Sequence, residues 1–128
     1  MALLVPESAL IVDDEAHIRA YVKLLLRTFG VTTFYEAADV PQARELWARH
    51  RPGLVMLDVN MPGEDGLVFL SEVRADDDEA YVVMLTGNAQ AGTVKEALAG
   101  GADGFIRKDS AREQMLAELT AVFEQGGE

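Results

Sequence analysis

Three carboxylates, one hydroxyl and one ammonium stand at comparable places in this 128-residue chain: Asp13, Asp14, Asp58, Thr86 and Lys108 each follow or close a short apolar run. Brought together, they would do chemistry that none does alone. Carboxylates about 5 Å apart repel by roughly 3 kcal/mol per pair at an effective dielectric near 20, and one lysine cannot neutralise three. Such a cluster either raises its own pKa values or binds a cation. Oxygen donors without His or Cys suit a hard ion, Mg²⁺ before Zn²⁺ or copper. A metal, a lysine and a hydroxyl around one carboxylate are the parts needed for phosphoryl transfer onto that carboxylate.

The elements that must position these residues alternate along the chain. Residues 9–12 (Ala-Leu-Ile-Val) are too short for a helix and read as a buried strand, ending in Asp13-Asp14-Glu15. A helix follows with Ile18, Val22, Leu25, Leu26 and Phe29 on one face and Arg19, Lys23 and Arg27 on the other, closed by Gly30. Residues 31–35, β-branched and aromatic, form the second predicted strand. Asp39 is an N-cap with Pro41 in the first turn of a helix that turns Ala43, Leu46 and Trp47 inward. Arg51-Pro52-Gly53 breaks it. Residues 54–57 are the third strand, with Asp58 at its carboxyl end. After the Met61-Pro62-Gly63 turn, Asp65 caps a helix bearing Leu67, Leu70 and Val73, and a solvated acidic loop, 76–79, closes that unit. Residues 81–85 are the fourth strand, leading to Thr86-Gly87. Val94, Ala97 and Leu98 mark a short helix ended by Gly100-Gly101. Residues 103–107 are the fifth strand, before Lys108, and a last helix carries Met115, Leu116, Leu119, Val122 and Phe123. Five strand–helix units imply an α/β fold, a parallel sheet with helices on both faces. Ligands of such folds bind beyond the carboxyl ends of the strands, where the five residues would converge.

Composition narrows the function classes. The chain has 22 acids against 11 Lys and Arg, a formal charge of -11, and no cysteine. That charge repels phosphate backbones and anionic lipid, so neither nucleic acid nor membrane is expected as a partner of this domain. Thiol chemistry, disulfides and cysteine-ligated metal are excluded. No run approaches the roughly 20 apolar residues of a membrane span, and the apolar stretch at 2–5 is too short for a signal-peptide core. A cytoplasmic protein is expected, with one domain over 1–128 and its core at about 8–124.

The ordered set Asp13-Asp14, Asp58-Val59-Asn60-Met61-Pro62-Gly63, Asp65-Gly66, Thr86-Gly87, Gly101-Ala102-Asp103-Gly104-Phe105 and Lys108 resembles the receiver domains of two-component response regulators. The resemblance runs over about residues 8–124. It implies a doubly wound, five-stranded parallel sheet, (βα)5 and flavodoxin-like, in strand order 2-1-3-4-5. It implies that Asp58 accepts a phosphoryl group from a sensor histidine kinase, a phosphotransfer protein or a small phosphodonor. Asp14 and Asp58 would ligate Mg²⁺ directly, Asp13 mostly through water, and the backbone carbonyl of Asn60 would supply another ligand. Lys108 would pair with one phosphate oxygen, and the Thr86 hydroxyl would donate to another. Phe105 would be the switch residue, turning inward when Thr86 moves toward the phosphate. The added charge, roughly -1.5 to -2, would bias two pre-existing conformations. The chain would then be a signalling switch that catalyses only its own phosphorylation and dephosphorylation. Its output would lie outside the chain, reached through the face of the fourth helix, fifth strand and fifth helix, roughly 91–124. That face would take a partner or form a homodimer on phosphorylation.

Some positions depart from the family pattern. Asp109 follows Lys108 where proline is usual, which leaves the geometry of that peptide bond open. Lys108-Asp109-Ser110 is similar to the subfamily that often carries a helix-turn-helix output domain. Phe105 replaces the frequent tyrosine, so switching would be read as burial and exposure of an apolar ring. Gly87 leaves the position after Thr86 open, and Asn60 and Asn88 would tune dephosphorylation. Other readings of the same residues stand beside these. Asp13 and Asp14 also suit a helix N-cap pair favoured by the helix dipole. Phe105 also suits a plain core position, and His17 and His50 face solvent. Two rival functions remain: a non-phosphorylated interaction module of the same fold, and an aspartate-nucleophile phosphatase of the haloacid dehalogenase-like kind. The phosphatase needs a second carboxylate two residues after its nucleophile, where Asn60 stands.

Overall fold

Five strands, β1 (Ser8–Val12), β2 (Thr33–Ala37), β3 (Leu54–Asp58), β4 (Tyr81–Thr86) and β5 (Gly104–Arg107), alternate with five helices. The helices are α1 (Ala16–Thr28), α2 (Val40–His50), α3 (Gly66–Asp76), α4 (Ala91–Ala99) and α5 (Arg112–Gly126). This computed structural model describes residues 3–59, 61, 66–87 and 91–126. The strands pair in parallel in the order β2-β1-β3-β4-β5, the doubly wound, flavodoxin-like arrangement expected. The chain runs from β1 out to β2 and then back across β1 to β3. The strand order therefore reverses between β1 and β3, and the crevice at their carboxyl ends is the place such folds use for ligands.

Alternate strand residues point to opposite faces, and helices cover both. On one face Leu10, Val12, Val55, Leu57, Val82 and Met84 pack against α2, α3 and α4 through Ala43, Trp47, Phe69, Leu70, Val73 and Ala97. On the other, Ile11, Met56, Val83, Leu85 and Ile106 pack against α1 and α5 through Leu25, Leu26, Leu119 and Phe123. Burial on both sides explains why the central strands read as continuous apolar runs in place of alternation.

Several local expectations need correction. β2 begins at Thr33, not at 31, because Val31 belongs to the end of α1. The Gly30 N–H donates to the Arg27 carbonyl at 3.0 Å and the Val31 N–H to the Leu26 carbonyl at 3.3 Å. That pair of bonds is a Schellman closure, with Gly30 at φ +99 supplying the left-handed step. The N-cap of α1 is Glu15, so neither Asp13 nor Asp14 caps that helix. Asp39 does cap α2, its Oδ1 accepting the Gln42 N–H at 2.8 Å. Of the residues expected to mark α4, Ala97 is buried and Leu98 is exposed. Phe69, not singled out from sequence, is fully buried in α3. The segment 76–79 is not simply solvated: Asp76 accepts the Trp47 indole N–H at 2.8 Å and an Arg51 N–H at 2.9 Å, tying α3 to the end of α2. Asp65, the Pro62-Gly63 turn, Asn60 and Asn88 lie outside the described residues, as does the Val94 side chain.

Candidate functional site

The β1–β3 register pairs Val12 with Leu57, so Asp13 and Asp58 come side by side at the sheet's carboxyl edge. Asp58 pairs with Leu85 of β4, which puts Thr86 one step further along, and Thr86 pairs with Arg107 of β5. The ladder continues into Lys108, whose N–H donates to the Thr86 carbonyl at 2.8 Å. Parallel pairing alone thus gathers groups from four strands. Asp13, Asp58 and Thr86 are the buried polar side chains among the described residues, at 0%, 2% and 2% exposure.

Lys108 reaches back over this edge. Its ammonium lies 2.7 Å from Asp13 Oδ2, 3.1 Å from Asp58 Oδ2 and 3.2 Å from Glu15 Oε1. Burial alone would pull the ammonium's pKa down. Its bonds to Asp13 and Asp58 outweigh that and hold it above the usual lysine value. Burial pushes the Asp13 carboxyl above its usual value, a rise opposed by the bonds from Lys108 and the Glu15 N–H and reinforced by the charge on Asp58. The cluster therefore carries more negative charge than its one lysine relieves. Asp14 is exposed, and Asp13, Asp14 and Asp58 each offer a carboxylate oxygen within 4.8 Å of the others. Three hard oxygens, two buried and one open to solvent, fit a small divalent cation that keeps some of its water. The Asn60 carbonyl, named as a further ligand, lies outside the described residues. The Lys108–Asp109 bond is trans.

Gly66 opens α3 directly against this edge. A Cβ there would stand 2.8 Å from the Asp58 carbonyl oxygen, a backbone atom with little freedom to yield. Gly66→Ala is expected to lower stability by about 1–3 kcal/mol, the cost of overpacking, in spite of alanine's better helix propensity. Equilibrium urea unfolding measures it, and a neutral or stabilising result would show that α3 does not seat on Asp58.

The structure brings Asp13, Asp14, Asp58 and Lys108 together and buries Thr86 on the neighbouring strand. Phe105 stands apart from the acids. It is half-buried on β5, in register with Met84, and packs against the cluster on the α2–α3–α4 side. His17 and His50 are exposed, with His50 stacked on Tyr35. Two residues at the site were not assigned to it from sequence. Glu15 touches Lys108, and its place directly after Asp13-Asp14 was the available signal. Arg19 donates to the Asp13 carbonyl at 2.6 Å and to Glu36 at 3.1 Å. Lys23, at 2.7 Å, and Arg19 together hold the Glu36 carboxyl below its usual value.

Residues 9–120 match the family model of the response regulator receiver domain. The chemotaxis protein CheY of Bacillus subtilis (strain 168) is 36% identical over 110 residues, 86% of this chain and 92% of that protein. The nitrate/nitrite response regulator protein NarL of Escherichia coli (strain K12) is 34% identical over 115 residues, which span 89% of this chain and 53% of that protein. Among solved structures, a chain of the CheX-CheY-BeF3-Mg+2 complex from Borrelia burgdorferi is 30% identical with a TM-score of 0.84. That match covers 93% of this chain and 90% of the other.

Proposed function

This chain belongs to the response regulator receiver domain family, and on that premise we propose that Asp58 accepts a phosphoryl group in a Mg²⁺-dependent reaction. The observation that carries the reading is the Lys108 ammonium bridging buried Asp13 and Asp58 beside a third carboxylate. An Asp58 carboxylate oxygen attacks the phosphorus of a phosphohistidine or a small acyl phosphate. The P–N or P–O bond to the donor breaks, and the leaving group departs with the electron pair. Asp14 and Asp58, with Asp13 mostly through water, would hold Mg²⁺, which would supply positive charge against the phosphoryl oxygens. Lys108 exchanges part of its contact with the acids for a phosphoryl oxygen, and the Thr86 hydroxyl donates to another. Because Lys108 and Thr86 are joined through the β4–β5 ladder, drawing both toward the phosphate biases the β5 segment that carries Phe105.

Receiver domains are signalling switches, and the donor here would be a sensor histidine kinase, a phosphotransfer protein or a small phosphodonor. The readout surface would be the α4–β5–α5 face, taking a downstream partner or a second copy of the chain. The likeness to a chain of a complex that contains beryllofluoride and magnesium supports both the phosphoryl site and the cation. Among the described residues no helix is long and apolar enough to cross a membrane.

The reading is tested by incubating the protein with acetyl phosphate. One phosphoryl group is expected to appear in the intact mass with Mg²⁺ and not with excess chelator. No uptake with Mg²⁺ present would favour the non-phosphorylated interaction module, and sustained hydrolysis of an added phosphomonoester would favour the phosphatase. Size-exclusion mass analysis with beryllofluoride and Mg²⁺ then separates a dimerising output from a monomeric one.

A further inference from the structure

Glu15 occupies the N-cap of α1 without capping it. Capping positions favour short side chains that fold back onto the first N–H groups of the helix, and the Glu15 side chain makes no such bond. Its backbone does the local work: its carbonyl accepts the Ile18 and Arg19 N–H groups, and its own N–H donates to Asp13 Oδ1 at 2.8 Å. The carboxylate is spent elsewhere, with Oε1 at 3.2 Å from the Lys108 ammonium and Oε2 at 3.7 Å from His17 Nε2. The Glu15 side chain is 47% exposed, whereas Asp13 is fully buried.

We propose that Glu15 is a positioning residue: it holds the Lys108 ammonium in the resting state and gates the arrival of an anionic phosphoryl group by competing for it. The proposal rests on Asp58 being the phosphoacceptor. An ammonium has three N–H donors; here it hydrogen-bonds Glu15 Oε1 and Asp58 Oδ2, and Asp13 Oδ2 stands 2.7 Å away as an ion pair, so three carboxylates crowd those donors. A phosphoryl group on Asp58 needs one of those donors, so one carboxylate must give way. Asp13 is locked by burial and Asp58 is itself the reacting group. Glu15, half in solvent on a rotatable arm, is the one that can leave. Until it does, its charge also repels an incoming phosphate. The same charge, close to the acid cluster, attracts a cation. Removing it should therefore speed phosphoryl acceptance and weaken cation binding, two effects of opposite sign that a merely structural defect would not produce.

Two variants test this. Glu15→Gln keeps the length of the arm and removes the charge. Glu15→Ser removes the carboxylate and supplies a good N-cap, so a loss of helix stability cannot explain its behaviour. The rate of phosphorylation by acetyl phosphate is measured at saturating Mg²⁺ in low and high salt. In that step the Asp58 oxygen bonds to phosphorus, the P–O bond to the acetyl group breaks, and acetate leaves with the electron pair. Both variants are expected to react about three- to tenfold faster than wild type at low salt, the gap narrowing as salt screens the charge. In titration calorimetry both should bind Mg²⁺ a few-fold more weakly. Rates equal to or below wild type, a gap indifferent to salt, or unchanged Mg²⁺ affinity would overturn the gate. A labelled wild type with unaltered variants sinks the gate alone. A wild type that takes up no phosphoryl group sinks the phosphoacceptor reading and the gate with it.

Discussion

Asp58→Asn is expected to take up no phosphoryl group from acetyl phosphate with Mg²⁺, so that intact mass analysis returns only unmodified protein after an incubation expected to label wild type. The carboxamide oxygen is neutral and a poor nucleophile, and among the described residues no other carboxylate is placed to take over. Asp13 lies behind Lys108 with its Oδ2 at 2.7 Å from the ammonium, and Asp14 is exposed beyond it. The substitution is nearly isosteric, so the loss is chemical and not a failure to fold. Its effect on stability is expected to be small, about 1 kcal/mol or less in either direction. Removing one buried charge relieves its repulsion with Asp13, which is among the causes of the raised Asp13 pKa, while Lys108 keeps Asp13 and Glu15 as partners. Urea unfolding of the variant beside the labelling assay separates the two effects. Labelling of Asp58→Asn at the wild-type rate would remove Asp58 from the reaction.

Lys108→Met is expected to lose stability as well as phosphorylation, both by a large margin. Methionine keeps an apolar stem in place of lysine's but leaves two buried carboxylates, Asp13 and Asp58, without their ammonium. Breaking a buried ion pair on one side costs about 3–5 kcal/mol. The mouth of this site, at Asp14 and Glu15, is open to water, which places the expected loss near the lower end, about 3 kcal/mol. For a chain of this size that corresponds to a Tm lower by roughly 10 °C.

The pH dependence identifies the cause. An acid whose pKa is raised on folding favours the folded state most at low pH, and that contribution is lost as pH rises through the folded value. Asp13 is such an acid, raised from 3.8, and without Lys108 it is raised further. The Lys108→Met deficit should therefore be smaller at pH 5 than at pH 7, because a raised Asp13 carboxyl takes up its proton in the folded variant as the pH falls and its stranded charge is relieved. Lys108 itself, held above its ordinary value in wild type, stays charged throughout this range and loses its contribution only in strong alkali. Urea midpoints of both proteins at the two pH values measure the difference. Equal deficits would mean that lost packing of the stem, and not stranded charge, destabilises the variant.

The alternation of apolar runs and amphipathic stretches was legible because burial on both faces of a parallel sheet imposes it on each strand separately. Leu10, Met56 and Met84 are apolar whichever face they take. The boundaries of β2 were less legible, since Val31 is as good a strand residue as a helix-closing one. The Schellman bonds around Gly30 decide between them, and they depend on backbone angles that residue type only biases. Leu98 and Phe69 show the same limit. Helical periodicity says that one face is apolar, but which residue lies innermost depends on how α3 and α4 roll against the sheet.

At the site, the residue types and their positions at strand ends were enough, with the resemblance they carry, to name Asp13, Asp14, Asp58, Thr86 and Lys108 and to expect a hard cation and a phosphoryl group. Those are properties of groups taken one at a time: their charge, their hardness as donors, and the place each occupies after an apolar run. What only the tertiary structure decided is how Lys108 is shared. The contact with Glu15 spans 93 positions in the chain. It exists because parallel pairing aligns β1, β3, β4 and β5 at one edge and because an N-cap side chain turned away from its own helix. Side-chain direction and through-space distance are set by packing across the whole sheet, and no local spacing encodes them.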